Sequence, residues 1–199
     1  EFYVALGYKS EIIKKYFKDS FISQDGEISK YYIKKENINL NLIDTGKNSM
    51  TGGRLKRIEK FIKKENFMLT YGDGIADIDI NSLINFHYKH KKLVTITAVR
   101  PPTRFGSLTI QGDNVLSFKE KSQIDEGWIN GGFFVIEPSF FNLIENDDTF
   151  LEKEPLETAA KKGQLQAYKH HGFWQCMDTK RDKDNIEKMS SMGKFLWQK

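Results

Sequence analysis

Alternation is what most restricts the fold of this chain. Through its first half, short apolar runs trade places with segments whose apolar residues recur every three or four positions. Residues 1–6 read as a strand, and Ser10 can cap a helix carrying Ile12, Ile13, Tyr16 and Phe17. Apolar and polar residues alternate over 36–44, a half-buried strand, and a helix with Leu55, Ile58 and Ile62 on one face follows. A buried strand over 67–71, a helix with Leu83, Ile84 and Phe86, and a β-branched strand over 93–99 continue the pattern. Strand and helix in strict turn predict a mostly parallel sheet with helices on both faces.

The second half adds antiparallel pieces. A hairpin is expected around Gly112-Asp113-Asn114, then a buried strand over 129–136 and a helix opened by Pro138 that bears Phe141 and Leu143. A helix over 156–162, a short strand over 165–169 and an amphipathic helix over 180–192 complete the chain. Residues 22–35 are polar and Lys-rich and read as a loop or irregular edge. With 199 residues and no repeat or linker, one domain spanning 1–199 is expected.

Composition narrows the function. The net charge of +4 is spread among interspersed acids and bases, so a nucleic-acid patch is absent from the pattern. The single cysteine, Cys176, rules out an internal disulfide and favours a reducing, cytoplasmic setting. No apolar run is long enough for a membrane span, and the opening residues do not read as a signal peptide.

Two acids stand in tight loops after apolar residues. Asp73 lies between Gly72 and Gly74, and Asp178 follows Trp174-Gln175-Cys176-Met177. Mg²⁺ is held by one or two carboxylates, with water and substrate phosphates completing its shell. Two distant aspartates converging at one sheet edge would suit phosphoryl or nucleotidyl transfer, while aspartate is equally at home as a turn residue.

The Gly- and hydroxyl-rich stretch from Thr45 to Arg54 opens a helix, so free N–H groups and the positive dipole end would receive an anion there. Arg54 is unfavourable in that first turn unless an anion meets it. Asn130-Gly131-Gly132, inside a strand, indicates either a close-lying ligand or a β-bulge. Glu120-Lys121 could contact a sugar hydroxyl and a phosphate, or form a solvated ion pair.

Other groups read as structural. Asp77-Ile78-Asp79 matches a metal motif of glycosyltransferases, but its place before a helix favours capping. His87 and His90 lack a third ligand, which favours a solvated helix face. His170 and His171 could contact phosphate, and Cys176 reads as a packing residue.

Several stretches in order then resemble glucose-1-phosphate cytidylyltransferases, within the sugar-phosphate nucleotidylyltransferases. They are Asp44-Thr45-Gly46, Ser49 through Arg57, Tyr71-Gly72-Asp73-Gly74, Arg104-Phe105-Gly106, Phe118 through Lys121, Ile129 through Phe134 and Trp174 through Thr179. The resemblance implies a Rossmann-like α/β nucleotidyltransferase fold of GT-A type. That is a three-layer sandwich with a mixed, mostly parallel sheet and a small antiparallel subregion. It implies transfer from CTP to α-D-glucose 1-phosphate, giving CDP-glucose and pyrophosphate for bacterial surface polysaccharides.

It further implies Mg²⁺ on Asp73 and Asp178, with Lys121 joining them as a catalytic position. Thr51, Gly52 and Arg54 match the nucleotide-contacting loop. Glu120 and Lys121 match the sugar-hydroxyl and sugar-phosphate contacts, Asn130 and Gly131 the sugar pocket, and Gly106 a further substrate-binding position. Homo-oligomeric assembly is implied as well. At Cys176 the family usually has Pro.

The family's opening strand, its Gly-Gly-X-Gly-Thr-Arg loop and its Lys-Pro-Lys-Pro segment have no match in this sequence, which reads as N-terminally truncated, either as a fragment or as a truncated gene. If this chain were all there is, CTP binding would be impaired and the core weakened. Two rivals follow: a GT-A glycosyltransferase using Asp77 and Asp79, and a catalytically silent sugar-phosphate-binding remnant.

Overall fold

The computed structural model describes residues 1–62, 65–101, 107–119 and 127–198. In chain order the elements are β1 (Phe2–Leu6), α1 (Ser10–Tyr16), β2 (Phe21–Asp25), β3 (Ile28–Ile33), β4 (Ile38–Asp44), α2 (Thr51–Ile58), β5 (Phe67–Thr70), β6 (Gly74–Ala76) and α3 (Ile80–His90). They continue as β7 (Val94–Val99), β8 (Ser107–Gln111), β9 (Asn114–Lys119), β10 (Ile129–Ile136), α4 (Glu154–Lys161), β11 (Leu165–Lys169), β12 (Trp174–Cys176) and α5 (Lys180–Ser191). Contacts divide the chain into two units, Glu1–Glu65 with Glu137–Gly163, and Asn66–Ile136 with Gln164–Lys199.

The first unit holds a sheet in the order β1-β4-β3-β2. β1 runs parallel to β4, with Val4 opposite Leu42, and β3 runs antiparallel to both β4 and β2. Leu6, Tyr31, Leu40 and Leu42 are buried together, with Val4, Phe17, Ile33 and Ile38 against them.

The Lys-rich stretch expected to be a loop is therefore a hairpin. Gly26, at φ +54°, turns it. All five residues of β2 are exposed, so that strand lacks the inward apolar series that would announce it. β3 supplies the inward face through Ser29 and Tyr31. In α1, Ser10 is the first helical residue and Lys9 the cap, held in the left-handed region. Ile12, Ile13 and Tyr16 stay exposed, and only Phe17 reaches the core.

The second unit holds a sheet in the order β11-β7-β10-β5. β11 is parallel to β7, and β10 is antiparallel to both β7 and β5. Two short antiparallel ladders, β6 with β12 and β8 with β9, stand apart from it. The architecture is thus mixed α/β as expected. Among the described residues, however, only β1·β4 and β7·β11 are parallel: β2, β3 and β4 and the β8·β9 pair are joined as hairpins, and β10 enters antiparallel to both β7 and β5 through longer connections.

α3 packs through Leu83 and Ile84 against Ile78, Val135, Phe133 and Tyr168. Asp79 caps it, accepting from the Ser82 N–H and hydroxyl, both at 2.9 Å. That settles the part of Asp77-Ile78-Asp79 that sequence assigned to capping.

The expectation of a solvated histidine face on α3 is not met. His87 is 1% exposed. Its Nδ1 lies 2.8 Å from Thr95 Oγ1, and His90 Nε2 lies 2.7 Å from the same hydroxyl. β7 covers this part of the helix, and a buried threonine gives both rings a polar partner.

Burial first, and the neighbouring His90 second, push the His87 pKa down. Below the free imidazole value of about 6.5 the unfolded chain then binds more protons than the folded one. Stability is full above that value and falls as pH drops from it toward the lowered folded value. Urea midpoints at pH 7.5 and 5.5 should show this loss, and His87→Leu should lessen it.

Candidate active site

Asp73 sits between β5 and β6. β5 is the edge strand of its sheet, half-buried with Met68 facing out, rather than the buried strand its apolar run suggested. What places Asp73 is the ladder beyond. β6 pairs with β12 in the register Ala76–Trp174, Ile75–Gln175 and Gly74–Cys176. One step further, the Met177 N–H donates to the Asp73 carbonyl at 2.8 Å. Asp178 is the next residue, so two acids 105 positions apart meet at one end of a three-residue ladder.

Asp178 is held from its other side as well. Thr179 caps α5 in a capping box, with its hydroxyl accepting from the Asp182 N–H and the Asp182 carboxylate accepting from Thr179. Asp182 is 3% exposed. Asp178 thus lies between a strand end and a fixed helix start.

Both carboxylates face solvent. The Cys176 thiol donates to Asp178 Oδ2 at 3.2 Å. Burial, then this bond to the carboxylate, push the Cys176 pKa up, so the sulfur stays a thiol and not a nucleophilic thiolate. A Cβ built on Gly72 would meet nothing within 4 Å, and one on Gly74 would meet only atoms at 3.9 and 4.0 Å. Among the described residues, the space beside Asp73 is open for a ligand.

Among the described residues no group of three or more His, Cys, Asp or Glu is placed to hold a metal. Two accessible oxygen donors with open space fit Mg²⁺, which keeps waters and takes phosphate oxygens. They do not fit a closed tetrahedral site.

The Thr45–Arg54 stretch, in the first unit, differs from its sequence reading. The N–H groups of Gly52 and Gly53 both donate to the Thr149 carbonyl, and that of Met50 to Asp147. Thr51 Oγ1 donates to Glu152 and accepts from the Leu151 N–H. These donors are used within the unit and do not await an anion.

A Cβ on Gly53 would fall on the Asp147 backbone, which is why glycine stands there. Arg54 donates to the carbonyls of Leu6, Gly46 and Lys47 and to the Thr45 hydroxyl. Backbone oxygens thus surround the cation that the helix dipole disfavours. Thr51, Gly52 and Arg54 shape the loop.

Asn130-Gly131-Gly132 is a bulge. Opposite β7, Ala98 pairs with Asn130 and Ile96 with Phe134, so β10 carries two extra residues. Gly132 has φ +78°, and a Cβ there would strike the Tyr71 ring. The bulge turns three groups toward the Asp73 side of this unit. Asn130 Nδ2 donates to the Tyr71 hydroxyl at 3.2 Å and its Oδ1 accepts from the Gly132 N–H, while the Gly131 carbonyl accepts from Trp174 Nε1 at 2.9 Å.

Tyr71 and Trp174 were not singled out from sequence. Nothing in their spacing marks them, since each acts through a partner more than 40 positions away.

The remaining predicted positions scatter. Gly106, Glu120 and Lys121 lie outside the described residues. His170 meets Asp77, and His171 lies edge-on to Trp128, so neither stands alone for a phosphate. No described helix is long and apolar enough to cross a membrane.

The nucleotidyl transferase family profile matches residues 7–198. The chain is accordingly a nucleotidyltransferase. The chain is 47% identical to the glucose-1-phosphate cytidylyltransferase of Salmonella typhi, over 99% of this chain and 80% of that protein. It is 37% identical, over the same shares, to a probable glucose-1-phosphate cytidylyltransferase of Bacillus subtilis (strain 168). The crystal structure of HddC from Yersinia pseudotuberculosis superimposes with a TM-score of 0.67 at 21% identity, over 94% of this chain and 77% of that one. The chain belongs to the glucose-1-phosphate cytidylyltransferase family.

Proposed function

We propose that this chain joins CTP and α-D-glucose 1-phosphate to give CDP-glucose and pyrophosphate. A phosphate oxygen of the sugar phosphate bonds to the α-phosphorus of CTP. The bond from that phosphorus to the β-phosphate oxygen breaks, and pyrophosphate leaves. Asp73 and Asp178 would hold Mg²⁺, which supplies charge neutralisation at the phosphates. The observation that carries this reading is the Met177 N–H bond to the Asp73 carbonyl, which brings the two acids to one ladder end.

The protein's own part is positioning. The Asn130–Gly131 bulge and Trp174 line the side of Asp73 on which a sugar would lie. Lys121 would meet the sugar phosphate and Glu120 a sugar hydroxyl, with Gly106 leaving backbone room beside them. Thr51, Gly52 and Arg54 would fix the shape of a loop that faces the nucleotide. The setting would be the cytoplasm, the assembly a homo-oligomer, and the product a precursor of bacterial surface polysaccharide.

Pyrophosphate release with glucose 1-phosphate and each of CTP, UTP, GTP and dTTP tests the assignment. CDP-glucose should form in step with pyrophosphate from CTP. Consumption of a preformed nucleotide sugar instead would favour a glycosyltransferase, although Asp79 is already engaged as a helix cap.

A further inference from the structure

We propose that Asp77 and His170 form a positioning clamp for the two metal-binding aspartates. This inference rests on the metal reading above. β6 and β12 belong to a two-stranded ladder separate from the four-stranded sheet of their unit. Three residues on each strand are too few to fix a ladder's register alone.

One end of that ladder carries Asp73 and Asp178. At the other end, β6 runs into Asp77, whose N–H donates to the Phe173 carbonyl at 3.1 Å. There His170 Nε2 lies 2.9 Å from Asp77 Oδ1 and 3.1 Å from the Phe173 carbonyl oxygen. The Phe173 carbonyl can only accept, so the ring nitrogen bonded to it carries the hydrogen, and Asp77 Oδ1 lies beside that N–H as its close electrostatic neighbour.

The pair is well sheltered, with side chains 8% and 18% exposed. Gly172 completes it, because a Cβ there would press on Asp77 Oδ1 and on the His170 ring. His170 is itself anchored, since its N–H donates to the Ala98 carbonyl of β7 at 2.9 Å. The clamp therefore ties the ladder to the large sheet. Trp174, bonded to the Gly131 carbonyl, is a second tie on the same ladder. With the clamp cut, β12 would be free to shift against β6, and Asp178 would move relative to Asp73.

The test uses the full chain and two readouts. The first is amide exchange by NMR, followed at Met177 and along β7. In His170→Ala the Met177 amide should exchange about 10-fold faster or more, while β7 keeps its protection, because local opening is separable from global unfolding. The second is Mn²⁺ affinity, which should weaken about 10-fold, the low end of what loosening the support of metal ligands costs. His170→Gln, which restores a donor, should recover both.

Asp73→Asn is the reference: it should lose Mn²⁺ yet keep the Met177 amide protected, since its carbonyl is intact. Unchanged Met177 exchange in His170→Ala would overturn the clamp. Equal Mn²⁺ binding by the wild type and Asp73→Asn would instead overturn the metal site, leaving the exchange result to judge the clamp alone. If β7 also opens in His170→Ala, the same comparison in Asp77→Asn decides.

Discussion

Asp73→Asn should lower pyrophosphate release about 1,000-fold, or about 4 kcal/mol, the scale of charge neutralisation a metal supplies in phosphoryl chemistry. Asparagine keeps the shape and one oxygen but loses the charge. The fold should be indifferent. Asp73 is exposed and its carboxylate takes no hydrogen bond or ion pair among the described residues, while its ladder bond runs through the backbone carbonyl. A melting temperature within about 2 °C of wild type is therefore expected, as for surface changes generally. Turnover equal to wild type would remove Asp73 from the chemistry.

Gly53→Ala should act on the fold instead. The added methyl would meet the Asp147 carbonyl, Cα and carbonyl carbon, all closer than 3.0 Å. These are backbone atoms and cannot swing aside. The Asp147 carbonyl already accepts from the Met50 N–H, and the Asp147 side chain is ion-paired with Arg57, so the segment is held in place on both counts. Overpacking of this kind costs about 3 kcal/mol, equivalent to about 9 °C in a chain of this size. Thermal unfolding measures it, and Gly72→Ala is the control. That position has nothing within 4 Å of an added Cβ and should melt as wild type does.

α3 could be read from periodicity because its buried stripe is one-sided, and β7 from its β-branched run. β4 was found by its alternation but is more buried than that alternation implies, since Leu40 through Ile43 are all buried. β2 could not be read, since all its residues face solvent. β6 and β12 could not either, for three residues carry no period, yet these two strands bring the acids together. Asp73 and Asp178 were visible as candidates by their flanking residues. Their meeting was implied by the family resemblance and not by any local pattern, because it depends on a pairing across 98 or more positions.

The Gly-rich stretch that opens α2 misled in an instructive way. Glycines that clear space for an anion and glycines that clear space for a crossing backbone look alike in sequence. Here Gly53 serves the second purpose. The histidines of α3 misled similarly, because Thr95, which buries them as polar partners, lies on the following strand.

The central claim is that Asp73 and Asp178 serve one metal ion in cytidylyl transfer. The most direct measurement is a comparison of pyrophosphate release from CTP and glucose 1-phosphate, across a Mg²⁺ titration, in the wild type, Asp73→Asn, Asp178→Asn and the double variant. Groups that act as a unit are not additive. The double variant should therefore be no slower than the worse single one, with each single variant needing more Mg²⁺ than the wild type. Single losses that multiply in the double variant, at an unchanged Mg²⁺ requirement, would contradict it.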